Sequence, residues 1–360
     1  MKKSTKMLSI ILAVIMVIGL VPLAASAENG AGSTETGKIQ VYCVLGTGFP
    51  AGNARIELKN AENGIKIYTA DSKGFAEIPG TLSGTCTVSA SGYGLVPGLE
   101  WKCAPESIWD ISAAGNTVCL KLFPVLAIEL DYSNHNAYMV GYSNGTFGPN
   151  NTITRAEVAS LIYRLMSKDA REKYYSTESG FADVQRGMAH NDAIATLVNA
   201  GVIEGISGST FGYKDTITRA QFAAMLGRLY GIPYAGKDVF KDTDGNFAEQ
   251  YFNLLGKLGI MLGDGDGNVH PDDPLTRAQV CAMFNRLLGR TPCAQSTDSL
   301  IDKGAMKAFS DVSPDMALYA DILEATNSHS YEYDVQPSKG TITERWTVLT
   351  PTISWIATEK

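Results

Sequence analysis

The sequence predicts a multidomain protein in which a small all-β sandwich precedes a mainly α-helical module. Two observations lead to this expectation. From Ile39 onward, short apolar runs alternate with turn signals such as Asn63-Gly64, and strands at this spacing are typical of a β-sandwich. After residue 134, one segment recurs three times, and each copy leads into an apolar pattern of helical period.

The first 27 residues have the order of a secretory signal. A basic start precedes an apolar run over residues 7–23, and Ala25-Ser26-Ala27 supplies the small residues that signal peptidase reads. We therefore expect cleavage after Ala27, an exported protein, and no membrane span in the chain that follows. Residues 28–37, rich in Gly and Thr, are expected to form a flexible linker.

Charge and composition argue against several classes of function. The formal net charge is −7 and there is no basic run, which makes nucleic acid a poor partner. No constellation of Ser, His, Cys or carboxylate residues has catalytic or metal-binding spacing, so we predict no enzyme, no cofactor and no metal site. The four cysteines Cys43, Cys86, Cys103 and Cys119 either pair in the exported chain or are buried thiols.

The all-β domain is expected to span residues 38–125. It resembles the carboxypeptidase regulatory-like, transthyretin-like sandwich family in residues 49–58 (FPAGNARIEL), 69–75 (TADSKGF) and 88–93 (VSASGY). The resemblance implies a spacer or a binding module, and another surface protein is a candidate partner. Trp101 is expected to pack in a core or an interface rather than to stack on a sugar.

The repeat consists of two elements. Three segments align without a gap, and in each a glycine precedes an arginine by 14 residues: Gly141–Arg155, Gly205–Arg219 and Gly263–Arg277. An Ala and a Glu or Gln follow each arginine. The second element is Phe-x-Asp followed by Val or Thr, and it precedes a helical pattern three times, with its aspartate at Asp183, Asp242 and Asp311.

Together, these two elements resemble the S-layer homology domain. The resemblance covers residues 134–330. It implies a pseudo-threefold, mainly helical module with three repeats, at about 134–180, 181–238 and 239–335, followed by a C-terminal tail over 336–360. It also implies that the module anchors the chain to a secondary cell-wall polysaccharide, often pyruvylated and therefore anionic, in grooves between repeats.

The residues around each arginine carry two chemical signals. Thr154 with Glu157 fits the capping box S/T-x-x-E/Q, as do the pairs that begin at Thr218 and Thr276. The arginine falls in the first turn of the helix, where the macrodipole disfavours a cation, so it needs an anionic partner. That partner is an anionic group of the polymer, an aspartate of the Phe-x-Asp element, or both.

We expect Arg155 to dominate the polymer site, with Gly141 and Tyr142 beside it. The reason is that the first segment alone keeps both Gly-Tyr and Thr-Arg-Ala-Glu. The predicted polymer-binding residues are Arg155, Thr154, Gly141, Tyr142, Glu157, Arg219, Thr218, Arg277, Thr276, Asp183, Asp242 and Asp311.

The order of the two elements predicts that the module closes on itself. In the S-layer homology pattern, the Phe-x-Asp helix precedes its own Thr-Arg-Ala helix. Here no Phe-x-Asp lies before Arg155, and no Thr-Arg-Ala follows Asp311. We therefore expect the helix at Leu318–Leu323 to complete the first repeat, at Ala137–Leu165, because solenoid units cannot bury their apolar faces alone.

These expectations describe a non-enzymatic protein of the bacterial cell wall or S-layer, which its repeats hold and whose β domain is displayed. Two alternatives remain open, a wall-associated hydrolase and an adaptor whose β domain binds another surface protein. A hydrolase needs a pair of carboxylates in a cleft. An adaptor needs an exposed contact surface on the β domain.

Overall fold

A computed structural model of the chain describes residues 39–48, 50–60, 64–79, 85–91, 96, 98–103, 107–110, 117–132, 134–234, 236–336 and 341–352. The predicted secretory signal at 1–27 and linker at 28–37 lie outside the described residues. Among the residues that are described, no helix is long and apolar enough to cross a membrane.

The N-terminal region is built of strands, as the sequence predicts. All of them belong to one hydrogen-bonded sheet, in which seven follow the order β3-β2-β5-β6-β8-β1-β4 and β7 pairs with β5. The β1–β8 pair is parallel. Because one hydrogen-bonded sheet contains every described strand of the region, its division into two stacked sheets stays a prediction. The strands are β1 (Ile39–Leu45), β2 (Arg55–Asn60), β3 (Gly64–Thr69), β4 (Phe75–Ile78), β5 (Thr85–Ser91), β6 (Trp101–Cys103), β7 (Ser107–Asp110) and β8 (Thr117–Pro124).

Alternation along the strands builds the core of the β domain. The parallel register places Val41 beside Val118 and Leu45 beside Leu122, so alternate residues of both strands share one buried face. Trp101 is also buried, as expected for a packed residue. The cysteine alternatives stay open, because the side chains of Cys86 and Cys119 lie outside the described residues.

The second region is mainly helical, and the predicted helical patterns all fall in helices. Helices consecutive along the chain pack together, α4 on α5 and α6 on α7, while α1 packs on α3. The apolar pattern of the sequence does not predict the short helix α2. The helices are α1 (Arg155–Leu165), α2 (Lys168–Tyr174), α3 (Asn191–Asn199), α4 (Arg219–Arg228), α5 (Glu249–Lys257), α6 (Arg277–Leu287) and α7 (Tyr319–Thr326).

The C-terminal tail is part of the folded module. It contributes to a hairpin of β9 (His329–Gln336) and β10 (Thr341–Leu349), whose register places Trp346 opposite Tyr331. Trp346 is completely buried and stacks on His329 at a ring separation of 3.8 Å. Trp346 of the tail therefore packs against the module, and the hairpin itself was not predicted from the sequence.

The β domain and the helical module meet where two backbones come close together. A Cβ atom added at Gly289, just after α6, would lie 2.4 Å from Cε1 of Phe123 and 2.9 Å from Cα of Gly46. Beside this contact, Lys121 of β8 donates its ammonium group to the carbonyl oxygen of Gly289 at 2.6 Å and to Oε1 of Glu344 at 3.0 Å. These contacts join β1, β8, α6 and the tail hairpin.

Replacing Gly289 with alanine is expected to lower the free energy of unfolding by about 1–3 kcal/mol more than replacing Gly201, because overpacking costs that much. Both glycines have positive φ, 69° and 73°, but a Cβ at Gly201 meets nothing within 4 Å. Gly201→Ala therefore controls for backbone strain alone. Urea unfolding of both variants measures the difference, and equal losses would contradict a close approach of the two domains.

Candidate functional site: the grooves between repeats

The three loops that run from glycine to arginine share a backbone conformation. The residue seven positions after the loop glycine has positive φ in all three: Gly148 at 68°, Gly212 at 81° and His270 at 53°. Such a turn directs successive N–H groups toward one point and forms a nest for an anion. Here the anion is the carboxylate of a Phe-x-Asp element.

The aspartates hold these loops. Phe147 and Gly148 donate their backbone N–H groups to the carboxylate of Asp311 at 2.7 and 2.8 Å. Asp183 and Asp242 accept equivalent bonds from the second and third loops. Desolvation would raise the pKa of Asp183 and Asp311, but these N–H bonds hold it below its ordinary value. All three carboxylates are thus engaged within the chain.

The loop glycine is required by packing. A Cβ at Gly141 would lie 2.2 Å from Cε1 of Phe309, which belongs to the last Phe-x-Asp element. The same contact recurs between Gly205 and Phe181 at 2.6 Å, and less tightly in the third loop. The phenylalanine therefore covers the glycine while the aspartate two residues later binds the same loop.

Each Thr-Arg-Ala motif begins a helix with the predicted cap. Thr154 accepts the N–H of Glu157 at 3.2 Å, and the Glu157 carboxylate accepts the N–H of Thr154 at 2.8 Å. Thr218 and Thr276 form the same capping box with glutamine. The structural interpretation of these threonines and of Glu157 is confirmed, and it places the arginine at the first helical residue.

The arginines bind the loop of the next repeat. Arg277 donates Nε to the carbonyl oxygen of Phe147 at 2.9 Å and Nη2 to that of Val140 at 2.6 Å. Arg155 and Arg219 make the same two bonds to the second and third loops. Among the described residues none of the three forms an ion pair with an aspartate. The alternative of an internal salt bridge to an aspartate is therefore not realised, because the arginine takes the carbonyls of a loop whose N–H groups hold the aspartate.

The Nη1 amino group of each guanidinium is left over. Arg155 and Arg277 are only 3% and 6% exposed. Burial lowers the pKa of Arg155 to about 10, which leaves it charged at neutral pH. Nε and Nη2 are used on the loop, and Nη1 has no protein hydrogen-bond partner within the described ranges. This unshared donor is the group in each groove that can bind an external anion.

Backbone bonds connect the three repeats in a cycle. The N–H of Ile153 donates to the carbonyl oxygen of Leu275 at 3.2 Å, that of Leu275 to Ile217 at 3.1 Å, and that of Ile217 to Ile153 at 3.0 Å. All three side chains are fully buried. Each of these residues lies two positions before a repeat arginine, so the cycle fixes the three helix starts relative to one another.

The end of the module contacts its beginning. Besides the Asp311 clamp, the N–H of Ser310 donates to the carbonyl oxygen of Gly145 at 3.1 Å. The N–H groups of Tyr138 and Met139 both donate to the carbonyl oxygen of Ala325, at 3.0 and 2.9 Å. The segment after the third repeat arginine thus holds the first loop as the earlier Phe-x-Asp elements hold theirs.

The expected grouping of Arg155 with Gly141 and Tyr142 is wrong. The Tyr142 ring lies 4.8 Å from the guanidinium carbon of Arg277, whereas Arg155 contacts Phe211 of the second loop at the same distance. The physical reason is that a helix of one repeat meets the loop of the next. Motifs that are neighbours in sequence therefore fall in different grooves.

The three grooves differ in charge. The residue whose carbonyl receives the N–H of each repeat arginine is Asp215 for Arg155, Asp273 for Arg219 and Asn151 for Arg277. Asp215 and Asp273 act electrostatically on their arginines. The groove of Arg277 therefore has a neutral amide where the other two have a carboxylate.

Exposed apolar side chains flank the loop glycines. Val140 and Tyr142 on the first loop are 55% and 42% exposed, Ile206 on the second is 51% exposed, and Leu262 on the third is 48% exposed. The sequence-based site omitted Val140 and Leu262. Both residues directly precede an aligned glycine, so the gapless alignment marks their position. The residues that the three repeats carry at this position do not share a chemical type.

Comparison with known proteins follows this geometry. The sequence model of the S-layer homology domain matches residues 133–159, 180–223 and 239–281. These segments contain the three arginines and two of the three Phe-x-Asp elements. The resemblance to the S-layer homology domain is thereby confirmed for these segments, whereas the resemblance of residues 49–93 to the transthyretin-like family stays a prediction.

Three of the curated relatives are named as surface or anchoring proteins. The chain is 31% identical over 206 residues to a cellulosome-anchoring protein and 30% identical over 218 residues to cell surface glycoprotein 1, both of Acetivibrio thermocellus. It is 27% identical over 167 residues to a surface-layer 125 kDa protein of Lysinibacillus sphaericus. These matches cover 56%, 57% and 44% of this chain and 44%, 9% and 14% of the respective relatives. The chain thus spans less than half the length of each.

The aspartate clamps predict acid sensitivity. The folded-state pKa of Asp183 and Asp311 lies below the ordinary value of 3.8. Their contribution to stability is therefore complete above about pH 4 and is lost as the pH falls through the folded-state pKa. Asp311→Asn should lower the free energy of unfolding by about 1 kcal/mol at pH 7 and reduce the further loss on acidification. Urea unfolding from pH 7 to pH 2 tests both, with the exposed Asp272→Asn as control. A variant as stable as the unaltered chain at pH 7 would contradict the clamp.

Proposed function

We propose that this chain is a non-enzymatic surface protein that binds an anionic secondary cell-wall polysaccharide through the grooves between its S-layer homology repeats. It is exported, remains at the cell wall or S-layer, and displays its β domain. The arrangement of the repeat arginines carries this proposal. The names of the three relatives support the location, since they describe surface and anchoring proteins.

The groove of Arg277 is the best candidate for the anionic group of the polymer. Arg277 is held by two carbonyl oxygens and lies 4.8 Å from the rings of both Phe147 and Tyr142. Nη1 remains for a carboxylate, while the exposed ring of Tyr142 offers a flat surface to a sugar. This assignment replaces Arg155 as the expected centre of the site.

The electrostatic field favours the same groove. A protein of net charge −7 repels an anionic polymer at long range, so attraction has to come from local cations. In the grooves of Arg155 and Arg219, Asp215 and Asp273 offset part of that local charge. Asn151 offsets none of it beside Arg277, and this asymmetry supports a ranking with the Arg277 groove first.

The proposal includes a closed module in which the C-terminal Phe-x-Asp segment completes the first repeat. The cyclic backbone bonds through Ile153, Ile217 and Leu275 support it. So do the clamp of Asp311 on the first loop and the packing of Phe309 on Gly141. A closed module also preserves the groove of Arg277, whose far wall is the first loop.

A second role, as an adaptor, is favoured by one observation on the β domain. Strand β3 lies at one end of the hydrogen-bonded path, and its residues Ile65 and Ile67 are 60% and 55% exposed. An edge strand with exposed apolar side chains offers both backbone and side-chain contacts to another surface protein. The wall-hydrolase alternative has no comparable observation in its favour within the described residues.

Asn151→Asp should weaken binding to purified wall about fivefold, which corresponds to about 1 kcal/mol for one added exposed charge. The change copies the residue that the other two repeats carry, so folding should be unaffected. Co-sedimentation with wall sacculi, before and after the secondary polymer is stripped, measures the effect. Asp215→Asn is the matched control and should not weaken binding. Unchanged affinity for Asn151→Asp would contradict the ranking of the grooves, and no loss on stripping would contradict the ligand.

Deleting residues 305–360 should destabilise the first repeat as well as the end of the chain. The deletion removes Phe309, Asp311 and Ala325, which bind the first loop and the segment before it. Amide hydrogen exchange over 137–165 should accelerate more than exchange over 205–228, which keeps its own Phe-x-Asp element. A truncated chain with unchanged protection at 137–165 and full wall binding would contradict the closed module.

A further inference from the structure

Ionisable side chains are completely buried where the linker into the helical module meets the C-terminal hairpin. His135 precedes the first loop, Glu324 lies on α7, His329 begins β9 and Glu344 lies on β10. Their exposed fractions are 4%, 0%, 3% and 1%. The proposed wall site uses none of them, and burial at this level is costly for carboxylates unless they are neutralised.

Three of these side chains present ligand atoms to one point. Nδ1 of His135 lies 3.2 Å from Nε2 of His329 and 3.0 Å from Oε1 of Glu324, and Nε2 of His329 lies 3.3 Å from Oε2 of Glu324. Ligands placed tetrahedrally at about 2.0–2.1 Å from a zinc ion are about 3.3 Å from one another. The distances from Nδ1 of His135 to Nε2 of His329 and to Oε1 of Glu324 therefore match two edges of such a coordination shell.

Glu344 supplies a possible fourth ligand. Its Oε2 atom is buried and has no hydrogen-bond partner, which is rare for a carboxylate oxygen in a protein interior. That atom lies 3.8 Å from Nδ1 of His135. Its other oxygen, Oε1, is held by Lys121. A buried, unpartnered carboxylate oxygen beside an imidazole nitrogen is a position that a cation would satisfy.

The ligand groups are oriented as in metal sites. Nδ1 of His329 is 3.0 Å from the carbonyl oxygen of Asn327, to which it donates, so Nε2 carries the free lone pair. Trp346 donates its indole N–H to Oε2 of Glu324 at 3.2 Å, which leaves Oε1 for the ion.

We propose that His135, Glu324 and His329, with Glu344 as fourth ligand, bind one divalent transition-metal ion of the zinc class. Two imidazole nitrogens and two carboxylate oxygens suit Zn²⁺ or its analogues such as Co²⁺. Calcium and magnesium prefer shells made of oxygen alone, which this set does not provide. The site is structural, because each ligand is buried.

The competing interpretation is a closed network of two carboxylates with the two buried cations, Lys121 and Arg290. In that network the Arg290–Glu324 contact is long, at 3.5 Å, and Glu344 Oε2 stays unpartnered. Both cations also have carbonyl acceptors of their own. Lys121 binds Gly289, and Arg290 binds two carbonyl oxygens of the linker, at 3.0 and 3.2 Å. The metal thus satisfies an oxygen that the network leaves unpaired, and it leaves Lys121 and Arg290 with hydrogen-bond acceptors.

The consequence is a metal-dependent clasp between distant parts of the chain. The linker from the β domain, the last helix and the tail hairpin would all ligate one ion. These are the segments whose contacts support the closed module, but the metal site rests on its own geometry and not on wall binding.

The full chain, purified without a metal-affinity column and stripped with EDTA, should be titrated with Co²⁺ and then Zn²⁺. We expect one equivalent to bind, a visible Co²⁺ spectrum of tetrahedral type that Zn²⁺ abolishes, and a Tm raised by about 5 °C in excess Zn²⁺. His329→Gln should weaken binding at least 100-fold and Glu344→Gln about tenfold. The control His270→Gln removes an exposed histidine that also contacts a carboxylate, at 2.8 Å, and should bind like the unaltered chain.

The result that overturns the proposal is the absence of one-equivalent binding by the unaltered chain, or equal binding by the His329→Gln variant. If that variant does not fold, zinc-edge X-ray absorption of the unaltered chain decides. Nitrogen and oxygen neighbours near 2.0 Å with imidazole scattering support the site. Sulfur neighbours near 2.3 Å would instead assign the metal to cysteines such as Cys281 or Cys293 and overturn it.

Discussion

The helical module depends on the bonds between a repeat arginine and the loop that follows it in space. Each loop directs its N–H groups to one aspartate and its carbonyl oxygens to one arginine. Both partners come from other parts of the chain, so the loop has no internal substitute for either. Loss of one partner leaves buried polar groups unpaired, at about 1–3 kcal/mol each. The loop, the helix start and the neighbouring repeat are therefore stable only together.

This interdependence explains the division of labour among residues that look alike in sequence. The threonine and the glutamate or glutamine serve their own helix, the glycine makes room for a phenylalanine, and the arginine serves the next repeat. A cycle of such dependencies needs as many Phe-x-Asp segments as loops. The first loop has none before it in the chain and takes Phe309 and Asp311 from the far end.

How well the sequence predicted a feature depends on how far apart in the chain the interacting residues lie. The capping boxes are local, and Thr154 with Glu157 was assigned correctly from spacing alone. The helices were assigned from their apolar period. The partners of Arg277 could not be assigned in this way, because Val140 and Phe147 lie about 130 residues away in the chain. The spacing of the motifs does not indicate which loop a helix contacts. The grouping of Tyr142 with Arg155 failed for the same reason. The residues of the buried cluster, His135, Glu324, His329 and Glu344, show no characteristic spacing in the sequence. The part that the tail contributes could not be predicted, because the sequence does not reveal the hairpin that places Trp346 against His329.

The proposed attraction of an acidic chain to an acidic polymer depends on how the chain holds its own carboxylates. Asp183 and Asp242 act electrostatically on Arg155 and Arg219, and Arg277 acts on Asp311, but among the described residues no aspartate takes a hydrogen bond from these guanidinium groups. Backbone N–H groups hold these aspartates instead, and backbone carbonyls hold the arginines. Dipoles stabilise a charge without cancelling it, so the guanidinium keeps its full charge in a partly desolvated place where Coulomb interactions are strong. How strongly that charge attracts a ligand then depends on the residue whose carbonyl accepts the backbone N–H of the arginine. This residue is an aspartate in two grooves and Asn151 in the third.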